Sequence, residues 1–182
     1  MARFLVPRLT ASGRRLTVYS RAQPQWTFDA SVRQVTLETL AERIAADGGP
    51  VTLYWLPPIL LLPAWLDTLC DAGVVRIVAF GTTAMFYKAD SPSPIDRDFA
   101  CRTADAEAAL DDAGRRHGLS WTVLRPTMTY GCGQDDNVTN IARFARRFRC
   151  FPLAGRAAGL RQPVHADDLA AACVAVEDQP VT

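Results

Sequence analysis

Hydrophobic and polar positions alternate in blocks along this chain, and the blocks change period in a regular order. Residues 3–12 place Leu5 and Leu9 on one side of a short helix that Gly13 closes. "RRLTVYS" reads as a strand and "QWTFD" as a second, short one. Residues 36–46 return to helical spacing through Leu37, Leu40 and Ile44, and stop at Gly48-Gly49. "VTLYWL" is a continuous apolar strand of the kind buried on both faces of a parallel sheet. Leu62, Trp65, Leu66, Leu69 and Cys70 then give the clearest helical stripe, with Pro63 in its first turn. "VVRIVAFG" is another buried-type strand. After a polar loop (88–98), a helix is predicted over 104–117, with Thr103 as its N-cap and Arg115, Arg116 and His117 in its last turn. "SWTVLRP" is a strand. A helix over 138–149 turns Ile141, Phe144, Ala145 and Phe148 inward, and a final helix covers 167–177.

Strands alternating with helices specify right-handed βαβ units, hence an α/β fold with a parallel sheet covered on both faces. No repeat or linker divides the 182 residues, so a single domain is expected. The run "VTLYWLPPILLLPAWL" has sixteen residues and three prolines, short of the roughly 20 apolar residues a spanning helix needs. A membrane segment is therefore not expected. A net charge of +1 argues against general nucleic-acid affinity. The five cysteines form no CxxC pair, which fits reduced thiols in a cytoplasmic protein and gives no metal site.

Three segments together carry a resemblance. "GVVRIVAFGTTAMFY", "LSWTVLRPTMTYGCG" and "RQPVHADDLAAA" resemble, in order and spacing, segments of the extended or atypical short-chain dehydrogenase/reductase family, the NAD-dependent epimerases and dehydratases. The likeness runs from about residue 3 to the C-terminus. It implies a Rossmann-like, doubly wound sheet and an NAD(P)-dependent epimerase, dehydratase or reductase acting on a small carbonyl or sugar-type substrate. The alternative it leaves open is a protein of the same fold that binds a dinucleotide or metabolite, or a protein partner, without turnover. A homodimer is compatible with either reading.

The same resemblance identifies what is missing. "RFLVPRLTASGRRLTVYSR" is similar to the family's first helix and second strand, which a first strand and a glycine-rich turn normally precede. The glycines fall at 13, 48, 49, 73, 81, 114, 118, 131, 133, 155 and 159, and no two are three apart. Neither GxGxxG nor GxxGxxG exists in these residues, so the turn that lets a backbone approach a pyrophosphate is absent from them. A start placed upstream of Met1 would supply it. Because the missing strand belongs inside the sheet, a gap or a rearranged pairing is expected there.

The family's Tyr and Lys, at YxxxK spacing, align with Phe99 and Thr103, which supply neither a proton nor a cation. Nineteen arginines accompany one lysine, Lys88, which follows no tyrosine by four. The candidate catalytic residues are accordingly Thr83, which would orient a substrate hydroxyl or carbonyl or simply close a strand-end turn, and Tyr87. Arg21 resembles the residue that accommodates the 2′-phosphate of NADP, and is equally readable as a solvated surface arginine. Asp29, Thr82 and Pro126 resemble other cofactor-facing positions for NADP or NAD, and Tyr130 resembles a substrate-loop tyrosine. His165 reads as a packing or capping residue, and Asp167 and Asp168 as helix-dipole partners. Arg143, Arg146, Arg147 and Arg149 make a basic helix face.

Overall fold

The computed structural model describes residues 1–21, 28–131, 133, 135, 137–151, 162–177 and 179. The elements are α1 (Ala2–Ala11), β1 (Thr17–Ser20), β2 (Arg33–Thr36), α2 (Leu40–Asp47), β3 (Val51–Trp55), α3 (Leu66–Asp71), β4 (Val74–Phe80), α4 (Ala84–Lys88), α5 (Pro94–His117), β5 (Ser120–Leu124), β6 (Met128–Tyr130), α6 (Val138–Phe148), β7 (Pro163–His165) and α7 (Ala166–Ala175). Short 3-10 turns at Leu37–Thr39, Ile59–Leu61 and Pro63–Trp65 lead into α2 and α3.

Strand β4 shows how the layers form. Its side chains alternate between faces, so Ile77 and Ala79 enter one apolar cluster while Val78 and Phe80 enter another. The first cluster takes Leu40, Ile44, Leu62, Leu69 and Leu110 from α2, α3, α5 and the turns between. The second takes Leu5 and Leu9 of α1 with Ala170 and Cys173 of α7. Helices therefore cover both faces of a parallel sheet, the doubly wound α/β arrangement that the alternating pattern specifies. A strand covered on both sides is mostly apolar, which is why "VVRIVAF" reads as it does, and its one charged residue, Arg76, donates to the Val176 carbonyl at 2.6 Å.

The sheet is divided. Strands β3, β4 and β5 form one parallel ladder, with Leu53 opposite Ile77 and Ile77 opposite Trp121. Strands β1 and β2 form a second, with Val18 opposite Gln34, and β6 and β7 a third. Among the described residues no ladder joins β1 to β3. A cavity of about 590 Å³ separates them, lined by Val18 and Tyr19 on one edge and by Val51 and Leu53 on the other. The expected gap lies here.

Four local expectations are corrected. The second strand is Arg33–Thr36; most of "QWTFD" lies outside the described residues, and Phe28 and Asp29 belong to no strand. Helix α5 begins ten residues before 104, because Ser93 caps it by accepting a hydrogen bond from the Asp96 N–H and Pro94 starts its first turn. Thr103 is therefore no N-cap: it is 1% exposed in mid-helix, and its hydroxyl donates to the Phe99 carbonyl at 2.7 Å. Finally, Ile141, Phe144 and Phe148 of α6 are exposed rather than inward, with the two phenyl rings 4.7 Å apart against each other.

Candidate active site

The carboxyl ends of β4 and β5 are stitched together by two backbone hydrogen bonds and one from a side chain. Gly81 N–H donates to the Leu124 carbonyl at 3.0 Å, and Thr83 N–H donates to the Pro126 carbonyl at 3.1 Å. The Thr83 hydroxyl reaches the same carbonyl at 3.4 Å. Thr82 turns its hydroxyl back to accept from the Ala84 N–H at 3.1 Å, which folds the chain into α4. Thr82, Thr83 and Pro126 are thus brought together, and the turn-closing role of both threonines is observed.

Behind them lies an ion pair. Glu107 of α5 is 8% exposed, and Arg125 donates to it through Nε, at 2.9 and 3.0 Å from the two carboxylate oxygens, and through Nη2. This two-pronged pairing suits a planar guanidinium. Donating these hydrogen bonds to Glu107 raises the Arg125 pKa against the opposing effect of burial. The Arg125 guanidinium also sits 5.9 Å from the centre of the Phe86 ring. Gly81 makes room for the pair: a Cβ there would lie 2.6 Å from Glu107 Oε1. The sequence offered one signal, a carboxylate in the apolar stripe Thr103, Ala106, Glu107, Leu110 and Ala113.

The place of the usual dyad is filled differently. Lys88 Nζ lies 5.0 Å over the Phe99 ring and pairs with Asp96 Oδ1 at 2.7 Å. Asp96 also accepts from the Ser91 hydroxyl, and the Lys88 hydrogen bond leads in holding its carboxyl below the usual range. The one lysine of the chain is therefore beside Phe99 and committed to a carboxylate. Tyr87, its neighbour, is in α4 and 66% exposed.

Tyr130 packs elsewhere. Its ring meets His165 edge-on at 5.1 Å, and His165 meets Phe4 at 5.2 Å. His165 Nδ1 accepts from the Asp167 N–H at 3.1 Å, so it is the N-cap of α7. Asp167 and Asp168 occupy the first turn of α7, and Asp167 pairs with Arg8 of α1 at 2.8 Å. Gly131 has φ 143°, and a Cβ there would meet His165 Nε2 at 3.1 Å, so glycine is required beside this aromatic group.

Arg21 stands exposed at the end of β1. Asp29 is exposed and accepts from the Ser31 N–H at 2.9 Å, the contact that leads in lowering its pKa. Both flank residues 22–27, which lie outside the described residues. Among the described residues, no group of three His, Cys, Asp or Glu side chains is placed to hold a metal ion, and no helix is long and apolar enough to cross a membrane.

The fit to a dinucleotide is partial. Thr82, Thr83 and Pro126 stand outside the carboxyl ends of parallel strands, where such sheets hold ligands. The phosphates find no glycine turn within the 182 residues, and α1 starts at Ala2 with no side-chain cap. Of the features that hold a dinucleotide, these residues supply the strand-end positions and not the glycine turn.

Comparison with known proteins agrees with this picture. The chain is 26% identical over 121 residues to uncharacterized protein y4nG of Sinorhizobium fredii, covering 62% of this chain and 30% of that one. The chain thus spans about a third of the length of this curated relative. Among solved structures, UDP-glucose 4-epimerase of Thermotoga maritima, crystallised with UDP-glucose, superposes with a TM-score of 0.67 at 20% identity. It covers 96% of this chain and 69% of that one. UDP-glucuronic acid 4-epimerase of Bacillus cereus, in complex with NAD, gives a TM-score of 0.71 at 12% identity, covering 96% and 68%. Likenesses at these identities carry the fold. The model of the NAD dependent epimerase/dehydratase family matches residues 61–182, from the turn before α3 through the Thr83 site to the C-terminus, and the chain belongs to that family.

Proposed function

We propose that this protein is an NAD(P)-dependent epimerase- or dehydratase-type protein that receives a small carbonyl or sugar-type substrate beside Thr83. The observation that carries the reading is the Thr83–Pro126 stitch across the carboxyl ends of β4 and β5. It fixes the Thr83 hydroxyl at the edge of the sheet where doubly wound folds hold ligands. With its one proton directed at the Pro126 carbonyl, the Thr83 hydroxyl accepts from a substrate hydroxyl, so Thr83 orients the substrate rather than transferring a proton. Family membership and the two sugar-nucleotide epimerases of similar fold support this substrate class.

A second reading rests on Lys88 and Phe99. With Lys88 held by Asp96 over a ring that has no hydroxyl, no phenol receives its charge, and the protein binds its ligand without turnover. One pair of measurements separates the readings. The protein is incubated with UDP-sugars and NAD or NADP, products are resolved by chromatography and mass spectrometry, and NADH and NADPH binding is followed by fluorescence. Turnover that Thr83→Val abolishes supports the first reading. Saturable binding without product supports the second, and neither binding nor product sinks both.

A further inference from the structure

His165 stands where four elements meet. It ends β7 and caps α7, and two other rings hold its imidazole edge-on: Phe4 of α1 at 5.2 Å and Tyr130 of β6 at 5.1 Å. Strand β6 brings Tyr130 there by register, opposite His165 in the β6–β7 ladder. Gly131 closes a further side, since a Cβ there would lie 3.1 Å from Nε2. The ring is thus held in one orientation, and what Nδ1 can do there turns on whether it carries a proton.

Nδ1 accepts from the Asp167 N–H at 3.1 Å. Accepting needs a lone pair, so the capping form is the neutral imidazole with its proton on Nε2. A proton on Nδ1 sets two donors face to face and leaves the Asp167 N–H without its cap. The charged and titratable groups around the ring are Arg8 on α1, the Tyr130 phenol on β6, and Asp167 and Asp168 on α7. Arg8 and the positive end of the α7 dipole oppose charge on the ring, whereas the two carboxylates favour it. Beside the neutral ring, Asp167 belongs to Arg8, which holds Oδ1 through Nε at 3.2 Å and through Nη2 at 2.8 Å. A ring that gains a proton offers the same carboxylate a second charged donor, and so competes with Arg8.

We infer that His165 is an acid-sensitive latch between α7 and α1: the neutral ring caps α7 and leaves Asp167 to Arg8, and the protonated ring gives up the cap and draws on Asp167, which loosens the first turn of α7 and its tie to α1. Leu5 and Leu9 of α1 stay packed with Ala170 and Cys173 of α7 in both forms, so the change is confined to the join. The inference is independent of what the Thr83 site does.

The first test needs no variant. On the full chain labelled with nitrogen-15, NMR reads both ring nitrogens of His165 and the solvent exchange of the Asp167 amide from about pH 8 to about pH 5. The neutral ring should show a bare Nδ1 and a protonated Nε2. Once the ring is protonated, Asp167 amide exchange, corrected for the intrinsic effect of pH, should rise roughly tenfold, as loss of a helix cap implies. The Arg8 Nε resonance should move with the same midpoint. His165→Asn keeps a capping oxygen that no proton removes, so it should abolish both changes. A neutral ring with its proton on Nδ1, a ring still neutral at about pH 5, or an Asp167 amide equally protected beside the protonated ring overturns the inference. Both changes persisting in His165→Asn would overturn it too, because the titrating group would then be a carboxylate of α7.

Discussion

Replacing Arg125 by Met removes a charge that Glu107 cannot do without. Glu107 is 8% exposed, and all three described hydrogen bonds between the two residues come from the Arg125 guanidinium. Taking away one partner of a buried pair typically costs about 3–5 kcal/mol, because the other charge remains desolvated. Here the Arg125 side chain is 38% exposed, so water reaches one end of the pair. That screening lowers the expected cost to about 2–3 kcal/mol. For a chain of 182 residues, at about 2–4 °C per kcal/mol, the melting temperature should fall by roughly 4–12 °C. Urea unfolding, followed by the fluorescence of the four tryptophans, gives the free energy directly. The informative partner is the double variant Glu107→Met with Arg125→Met. Apolar replacement of both members leaves no buried charge, so the double variant should be more stable than Arg125→Met alone. A melting change under about 1 °C in the single variant, or strictly additive losses in the double, would refute the reasoning.

Gly81→Ala places a Cβ 2.6 Å from Glu107 Oε1 and 3.0 Å from Val123 Cγ1, so it should cost about 1–3 kcal/mol in urea unfolding. The loss should shrink in a Glu107→Ala background; an equal loss in both would place the strain elsewhere. Cys173 is fully buried, and burial pushes its thiol up to about 12, so iodoacetamide at pH 8 should modify it only on unfolding. Peptide mapping that finds native Cys173 alkylated as fast as exposed Cys150 contradicts this. Asp135 is held at about 2, first by the Thr139 hydroxyl and then by the Thr139 N–H. A depressed folded pKa contributes stability above the ordinary value of 3.8 and loses it as pH falls through about 2. Thr139→Val should therefore raise the Asp135 midpoint in an NMR titration; a midpoint still near 2 would show that the hydroxyl does not matter.

What the sequence made legible follows from how locally each feature is specified. β4 and β3 are mostly apolar, Arg76 and Thr52 being the exceptions, because both faces are covered, and that pattern survives in any linear reading. The start of α5 was misplaced because Ser93-Pro94 sits inside a polar, proline-containing stretch that reads as loop. A cap and an N1 proline define a helix start through one hydrogen bond, from Asp96 N–H to Ser93, and leave no periodic trace before it. On α6, the spacing of Ile141, Phe144 and Phe148 correctly specifies a helix and its apolar face. Spacing alone does not say what that face meets, and the structure leaves it exposed.

The site was legible where it lies on one continuous stretch. Thr82 and Thr83 follow β4 directly, and Pro126 follows β5, so strand order alone brings them together. The Glu107–Arg125 pair joins a helix face to a strand end through sheet register, and the Lys88–Phe99 contact depends on how α4 folds back onto α5. Neither follows from spacing. The divided sheet is the sharper case, because glycine spacing pointed to it and only packing gives it a size.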